Sequence, residues 1–158
     1  MGKYIFKEED VRQHLTMQHD IINRMSNNSS NCKTWLITIV AALIALQISQ
    51  DTIHNYGWLM VFVCCMFWYL DAFYLALERL HRHNEDTFVS ELNKDDSNIS
   101  ELIFNFSTKQ AGNWFFYTLK AMWSLSCFPF YLIPIVLIVV FILRGNNLFV
   151  LLNYVWKG

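Results

Sequence analysis

Three long apolar runs, separated by polar stretches, divide the chain: TWLITIVAALIALQIS at 34–49, YGWLMVFVCCMFWYLDAFYLAL at 56–77 and FFYTLKAMWSLSCFPFYLIPIVLIVVFIL at 115–143. A hydrocarbon core of about 30 Å takes about 20 helical residues at about 1.5 Å each. The second run is long enough by itself. The first reaches only about 24 Å and needs extension towards 31 and 51, or oligomerisation, to match the bilayer. The pattern predicts transmembrane helices over 32–51, 56–77 and 115–143. Pro129 and Pro134 interrupt the third, so a kink is expected near 127–134, its freed carbonyls met by Ser124, Ser126 or a neighbour. A fourth apolar stretch, LFVLLNYVW at 148–156, is too short to span; it is expected to lie on the membrane surface within an outer tail, 144–158.

The polar stretches carry helical patterning too. No glycine or proline occurs between Gly2 and Gly57. Val11, Leu15, Ile22 and Met25 recur at helical spacing, with Arg12, Gln13, Asp20 and Arg24 on other faces. Residues 1–31 therefore read as a cytoplasmic segment with an amphipathic helix over about 8–25, too charged for a secretory signal. The SNNSSN stretch at 26–31 has poor helix propensity and is expected to be either a frayed joint or a polar collar. Residues 78–114, polar with scattered apolar points such as Phe88 and Leu92, predict one or two short helices packing on the first. The fold class is all-α: an integral membrane protein with three transmembrane helices and short amphipathic cytoplasmic helices.

Composition agrees with this division. Apolar residues make up 54% and charged residues 16%, against roughly 45–50% and about 25% in soluble chains. Apart from Asp71, residues 34–50 and 52–77 carry no charge, and 121–143 carry none. Lys3, Lys7, Arg12, Arg24 and Lys33 precede the first run, and Arg79, Arg82, Lys94 and Lys109 follow the second, whereas the short turn between them has none. The positive-inside rule then puts the N-terminus and 78–114 in the cytosol and the tail outside, in a multi-pass protein. A net charge of −1 gives no field to attract duplex nucleic acid.

Asp71 stands about 9 Å inside the cytoplasmic end of the second run. A carboxylate there must face protein or water. Three readings stay open: a pair with Lys120, at matching depth on the third run; a position lining a water-filled path through an oligomer; or a protonated acid bonded to Tyr69, Tyr74 or a carbonyl. Thr34, Thr38, Ala41, Ala45 and Ser49 form a stripe on the first run, fit either for close helix packing or for a narrow pore wall. Glu78 and Arg82 are spaced to pair. Arg79, His81 and Arg82 form the densest cationic patch, suited to headgroup contact or, with Arg24 and Lys33, to a phosphate group. The four cysteines lack zinc or disulfide spacing and read as buried thiols. No catalytic motif, metal set or cofactor signature occurs, so an enzyme is not expected.

The blocks IINRMSNNSSNCKTWLITIVAALIAL (21–46) and FWYLDAFYLALERLHR (67–82) resemble a group of small bacterial membrane proteins with three crossings. The resemblance rests on Arg24, Met25, Asn28, Ser29, Lys33 and Trp35, and on Phe67, Trp68, Leu70, Asp71, Ala72, Tyr74, Leu75, Glu78 and Arg79. Some similar membrane proteins are effectors of antiphage systems of the Hailong, CBASS or Pycsar kind, paired with a nucleotidyltransferase or cyclase whose messenger opens or assembles a pore. The resemblance implies an oligomeric channel or pore-forming effector of the bacterial inner membrane, gated by an intracellular nucleotide. A homo-oligomer, for instance a tetramer, is expected, since three helices enclose no hydrated path. The alternatives are a non-conducting scaffold that tethers a cytosolic partner and a holin-like toxin.

Overall fold

The computed structural model describes residues 8–50, 53–92 and 114–144. They form four helices: α1 (Glu8–Gln50), α2 (Ile53–Leu92), α3 (Trp114–Met122) and α4 (Phe128–Arg144). The described part of the chain is all-helical. The apolar stretch at 148–156, expected on the membrane surface, and everything in 93–113 lie outside the described residues.

α1 is one unbroken helix of 43 residues, about 65 Å long. Glu8, Glu9 and Asp10 in its first turn complement the helix dipole. The frayed joint expected at 26–31 is absent: the helix runs straight through it. Tertiary contact overrides weak propensity here, because Ser29, in the middle of the stretch, is buried against α2. The hydroxyls of Thr16, Thr34 and Thr38 donate back to the carbonyls of Arg12, Ser30 and Thr34, so each is satisfied within its own helix.

α2 returns antiparallel to α1. His14 meets Phe88 near one end, and Lys33 meets Asp71 further along. The seam of α1 reads His14, Gln18, Ile22, Ser29, Cys32, Leu36 and Gln47, all buried, at the three- and four-residue steps of a coiled-coil stripe. Separate short helices were expected after residue 78. Instead α2 continues without interruption to Leu92, because its buried positions carry on through His81 and Phe88 and keep a partner in α1.

The third run is not one kinked helix. It breaks at 123–127 into α3 and α4, both packed on α2. The break precedes Pro129, which then sits in the first turn of α4, where its missing N–H costs nothing. Pro134 is accommodated inside α4. Ala72 and Ala76 of α2 face Ala121 of α3, and such small residues let the two backbones approach closely. α4 runs antiparallel to α2. Leu36, Cys64, Cys127 and Tyr131 form the core between α1, α2 and α4, with Trp68 and Phe67 packed against it.

α1 and α2 are each long and apolar enough to cross a membrane, and only 17% and 22% of their apolar windows are buried inside the chain. Trp35, Ile37, Trp58, Phe62 and Leu137 all point outward. An apolar surface of that extent needs a lipid or protein cover. α4, with 17 residues, is shorter.

At the far end of the α2–α4 contact, a Cβ built on Gly57 would stand 2.7 and 2.8 Å from Cγ1 and Cδ1 of Ile142. Gly57→Leu is therefore expected to lose about 1–3 kcal/mol by overpacking, and Gly57→Ala less, because the Ile142 tip can rotate. Adding Ile142→Ala should restore most of the leucine variant's stability, read by unfolding in mixed micelles.

Candidate functional site

The charge stranded in the second apolar run turns out to be fully satisfied. Asp71 has no exposed surface. Lys33 Nζ lies 3.1 Å from its Oδ2, the Ser29 hydroxyl donates to its Oδ1, and the Cys127 thiol donates to Oδ2 at 3.4 Å. Ser29 and Lys33 are four residues apart on α1 and so share the face turned to α2. Cys127 closes the cluster from the helix break. Three separate stretches of chain thus converge on one carboxylate.

The expected Asp71–Lys120 pair does not form. Thr118 and Ala121 occupy the buried face of α3, which turns Lys120 outward, where it is exposed. Asp71 is also sealed from solvent within the single chain, so it lines no path in this conformation. Nor does Tyr69 or Tyr74 supply its partners: Tyr69 is exposed, and the observed donors are Ser29, Lys33 and Cys127. The phenol that reaches this region is Tyr131, fully buried beside Asp71, Cys32 and Cys127.

The break is held by main-chain and side-chain bonds of its own. The N–H groups of Cys127 and Phe128 both donate to the Ser124 carbonyl, at 3.0 and 2.8 Å, and Ser124 N–H donates to Ala121. The Met122 carbonyl accepts the Trp68 indole N–H at 3.2 Å. A neighbour thus meets a carbonyl freed by the interruption, while Ser124 Oγ accepts Ser126 N–H at 3.3 Å and Arg79 Nη2 at 2.8 Å. Trp68 also stacks on Tyr131 with 5° between the ring planes.

The basic patch separates into inward and outward groups. Arg82 pairs with Glu78 at 3.0 Å, as the spacing indicated; the Arg82 side chain is exposed, that of Glu78 largely covered. Arg79 reaches the break through Ser124. His81 is buried on the seam, and Arg24 of α1 lies within its electrostatic reach. Lys33 belongs to the Asp71 cluster. Thr34, Thr38, Ala41 and Ala45 are exposed, on the side of α1 away from α2. Ser49 is in the helix, but its side chain lies outside the description. Of the cysteines, Cys32, Cys64 and Cys127 are buried and Cys65 is exposed; all four are free thiols, and Cys127 is a donor to Asp71. Among the described residues no three His, Cys, Asp or Glu side chains gather as a metal would require.

The outer part of the hairpin has a polar core that the apolar pattern did not reveal. His14 and Gln18 are buried beside Phe88 and Ile22, and the Gln18 Oε1 and His81 Nδ1 atoms have no partner. Burial pushes the pKa of both His14 and His81 below the usual imidazole value, with Arg24 adding to the effect at His81. The folded hairpin therefore holds both rings neutral, and the unfolded chain takes up protons first. Stability from this source is present above about pH 6.5 and is lost as the pH falls through that value. Acidification from pH 7.5 to 5.5 is expected to raise proteolysis within 8–25 and 78–92, and His81→Leu should flatten that response.

Searches against protein-family models, curated proteins and solved structures find no match for this chain. Any functional reading therefore rests on its own residues and on the two blocks quoted above.

Proposed function

We propose that this chain is one subunit of an oligomeric channel or pore-forming effector of the bacterial inner membrane, with its N-terminus and the outer hairpin in the cytosol. In this reading α1, α2 and the broken third run make three crossings. The observation that carries it is the Lys33–Asp71 pair, set within apolar helices against a broken segment. A passive anchor needs neither a desolvated charge pair nor an interrupted helix. Both are costly in lipid, and both are features of proteins that move ions or change shape within the bilayer. The conformation described is a closed one, with its intramembrane carboxylate neutralised. The face Thr34, Thr38, Ala41 and Ala45, uncovered in one chain, is available to further copies, which conduction requires. The resemblance of 21–46 and 67–82 suggests the trigger, a nucleotide messenger acting from the cytosolic side in antiphage defence.

Purified protein in liposomes is the test. Ion flux that changes when cyclic or linear oligonucleotides are added supports the gated channel. Absence of flux in every condition, with a cytosolic protein co-purifying, replaces it with the scaffold reading. That alternative has its own support: helices of about 60–65 Å exceed a core of about 30 Å roughly twofold, so a long rod projects into the cytosol. Flux and killing without any added nucleotide would mark a constitutive toxin.

A further inference from the structure

We propose that the Asp71 cluster is a latch, and that α4 is an arm hinged at 123–127 which the latch holds against the α1–α2 hairpin. The inference relies on the membrane setting of the reading above but not on conduction, and its test measures no ion flux.

The two halves of the third run are fastened differently. α3 lies on α2 through the contact of Ala72 and Ala76 with Ala121, with Thr118 also on its buried face. α4 begins at the point where Cys127 donates to Asp71, and Asp71 is held in turn by Ser29 and Lys33 of α1. α4 packs on α2, and α1 reaches its first turn through this polar cluster and the Leu36–Tyr131 core. The hub is thus the place where α1 has its polar link to the arm.

The segment between the halves has the makings of a hinge. Helical hydrogen bonding stops at Met122, whose carbonyl is taken by Trp68, and resumes at Phe128. In between, the turn is held by a few local bonds to Ser124. Leu125, 94% exposed, packs on nothing inside the chain, while Trp123 stacks on Phe128 at 5.1 Å and so turns with the start of α4, and Arg79 of α2 holds Ser124. Whatever draws Lys33 away from Asp71, whether a ligand or a shift of α1, leaves the carboxylate uncompensated and favours its exposure to water, which carries the start of α4 with it.

The experiment uses spin-label pairs in the full-length protein in nanodiscs, in a Cys65→Ser background with the buried thiols left in place. Labels at Trp58→Cys and Leu143→Cys report α4 against α2, and labels at Gln13→Cys and Val89→Cys report the α1–α2 hairpin. The expected result is a shift of the first pair to a longer, broader distance in Lys33→Met and in Asp71→Asn, with the second pair unchanged; Lys33→Arg, which keeps the charge, should retain the short distance. Cys127→Ala, which leaves the hairpin's own ion pair intact, should give a smaller shift in the same direction. If the first distance stays short in every variant, the arm is not latched through Asp71. If both distances lengthen together, the cluster holds up the whole fold and the latch is equally overturned. A lengthened arm without ion flux would retain the latch and remove the channel.

Discussion

Replacing Lys33 by methionine is expected to destabilise the membrane part of the hairpin by about 3–5 kcal/mol, the usual result of leaving one partner of a buried pair uncompensated. Asp71 has no exposed surface, and only its bonds to Ser29 and Cys127 would remain to balance its charge. The pair as a whole is a different quantity. Desolvating both groups offsets much of their attraction, so Lys33→Met combined with Asp71→Leu should recover most of the loss. Reversible unfolding in bicelles, run as a double-mutant cycle with wild type and both single variants, measures the coupling directly. A double variant no more stable than Lys33→Met alone would show that Asp71 does not depend on this lysine. Lys120→Met serves as the control and should change little, because that side chain is exposed on α3.

The second large effect belongs to the other end of the hairpin. Phe88→Ala should remove about 3–5 kcal/mol of local stability from the polar end of the α1–α2 hairpin. Phe88 is 1% exposed and packs its ring 4.2 Å, centroid to centroid, from that of His14. Its surroundings magnify the loss: His14, Gln18 and His81 are polar, so Phe88 and Ile22 provide most of the apolar burial there. Amide hydrogen exchange should show protection falling across 11–20 and 82–92 while 57–72 and 128–142 keep theirs. Equal loss in all four stretches would mean that the two ends unfold as one unit.

Much of the architecture is visible in the order of residues. Long charge-free runs set the apolar parts of α1 and α2, and the absence of glycine and proline between Gly2 and Gly57 leaves no breaker inside α1. The Glu78–Arg82 spacing gives the observed pair. What is harder to read is which face of a helix meets which neighbour. Matching depth points to Lys120 as the partner of Asp71; orientation decides for Lys33 instead, since Lys33 follows Ser29 by four residues on the seam, while Lys120 falls between the buried Thr118 and Ala121. The SNNSSN stretch reads as a break on propensity, yet a single buried hydroxyl with a carboxylate partner on α2 keeps it helical. Pro129 and Pro134 mark the region of the interruption but not its site. A proline disfavours helical geometry in the residue before it, so the helix stops upstream of the ring, at Met122. Cys127 reads as an inert thiol until the fold places it on Asp71. The polar seam at His14, Gln18 and His81 escapes a search for apolar periodicity because its members are not apolar.

The uninterrupted course of α1 has a mechanical consequence. A rod without a joint cannot bend locally, so sideways motion at its Glu8 end must reappear, reversed in direction, beyond whatever point it pivots on. If Lys33 is that fulcrum, the arms on either side, 8–33 and 33–50, stand in a ratio of about three to two by helical rise. A modest push on the Glu8 end would then be delivered, reduced by about a third, to the Gln50 end.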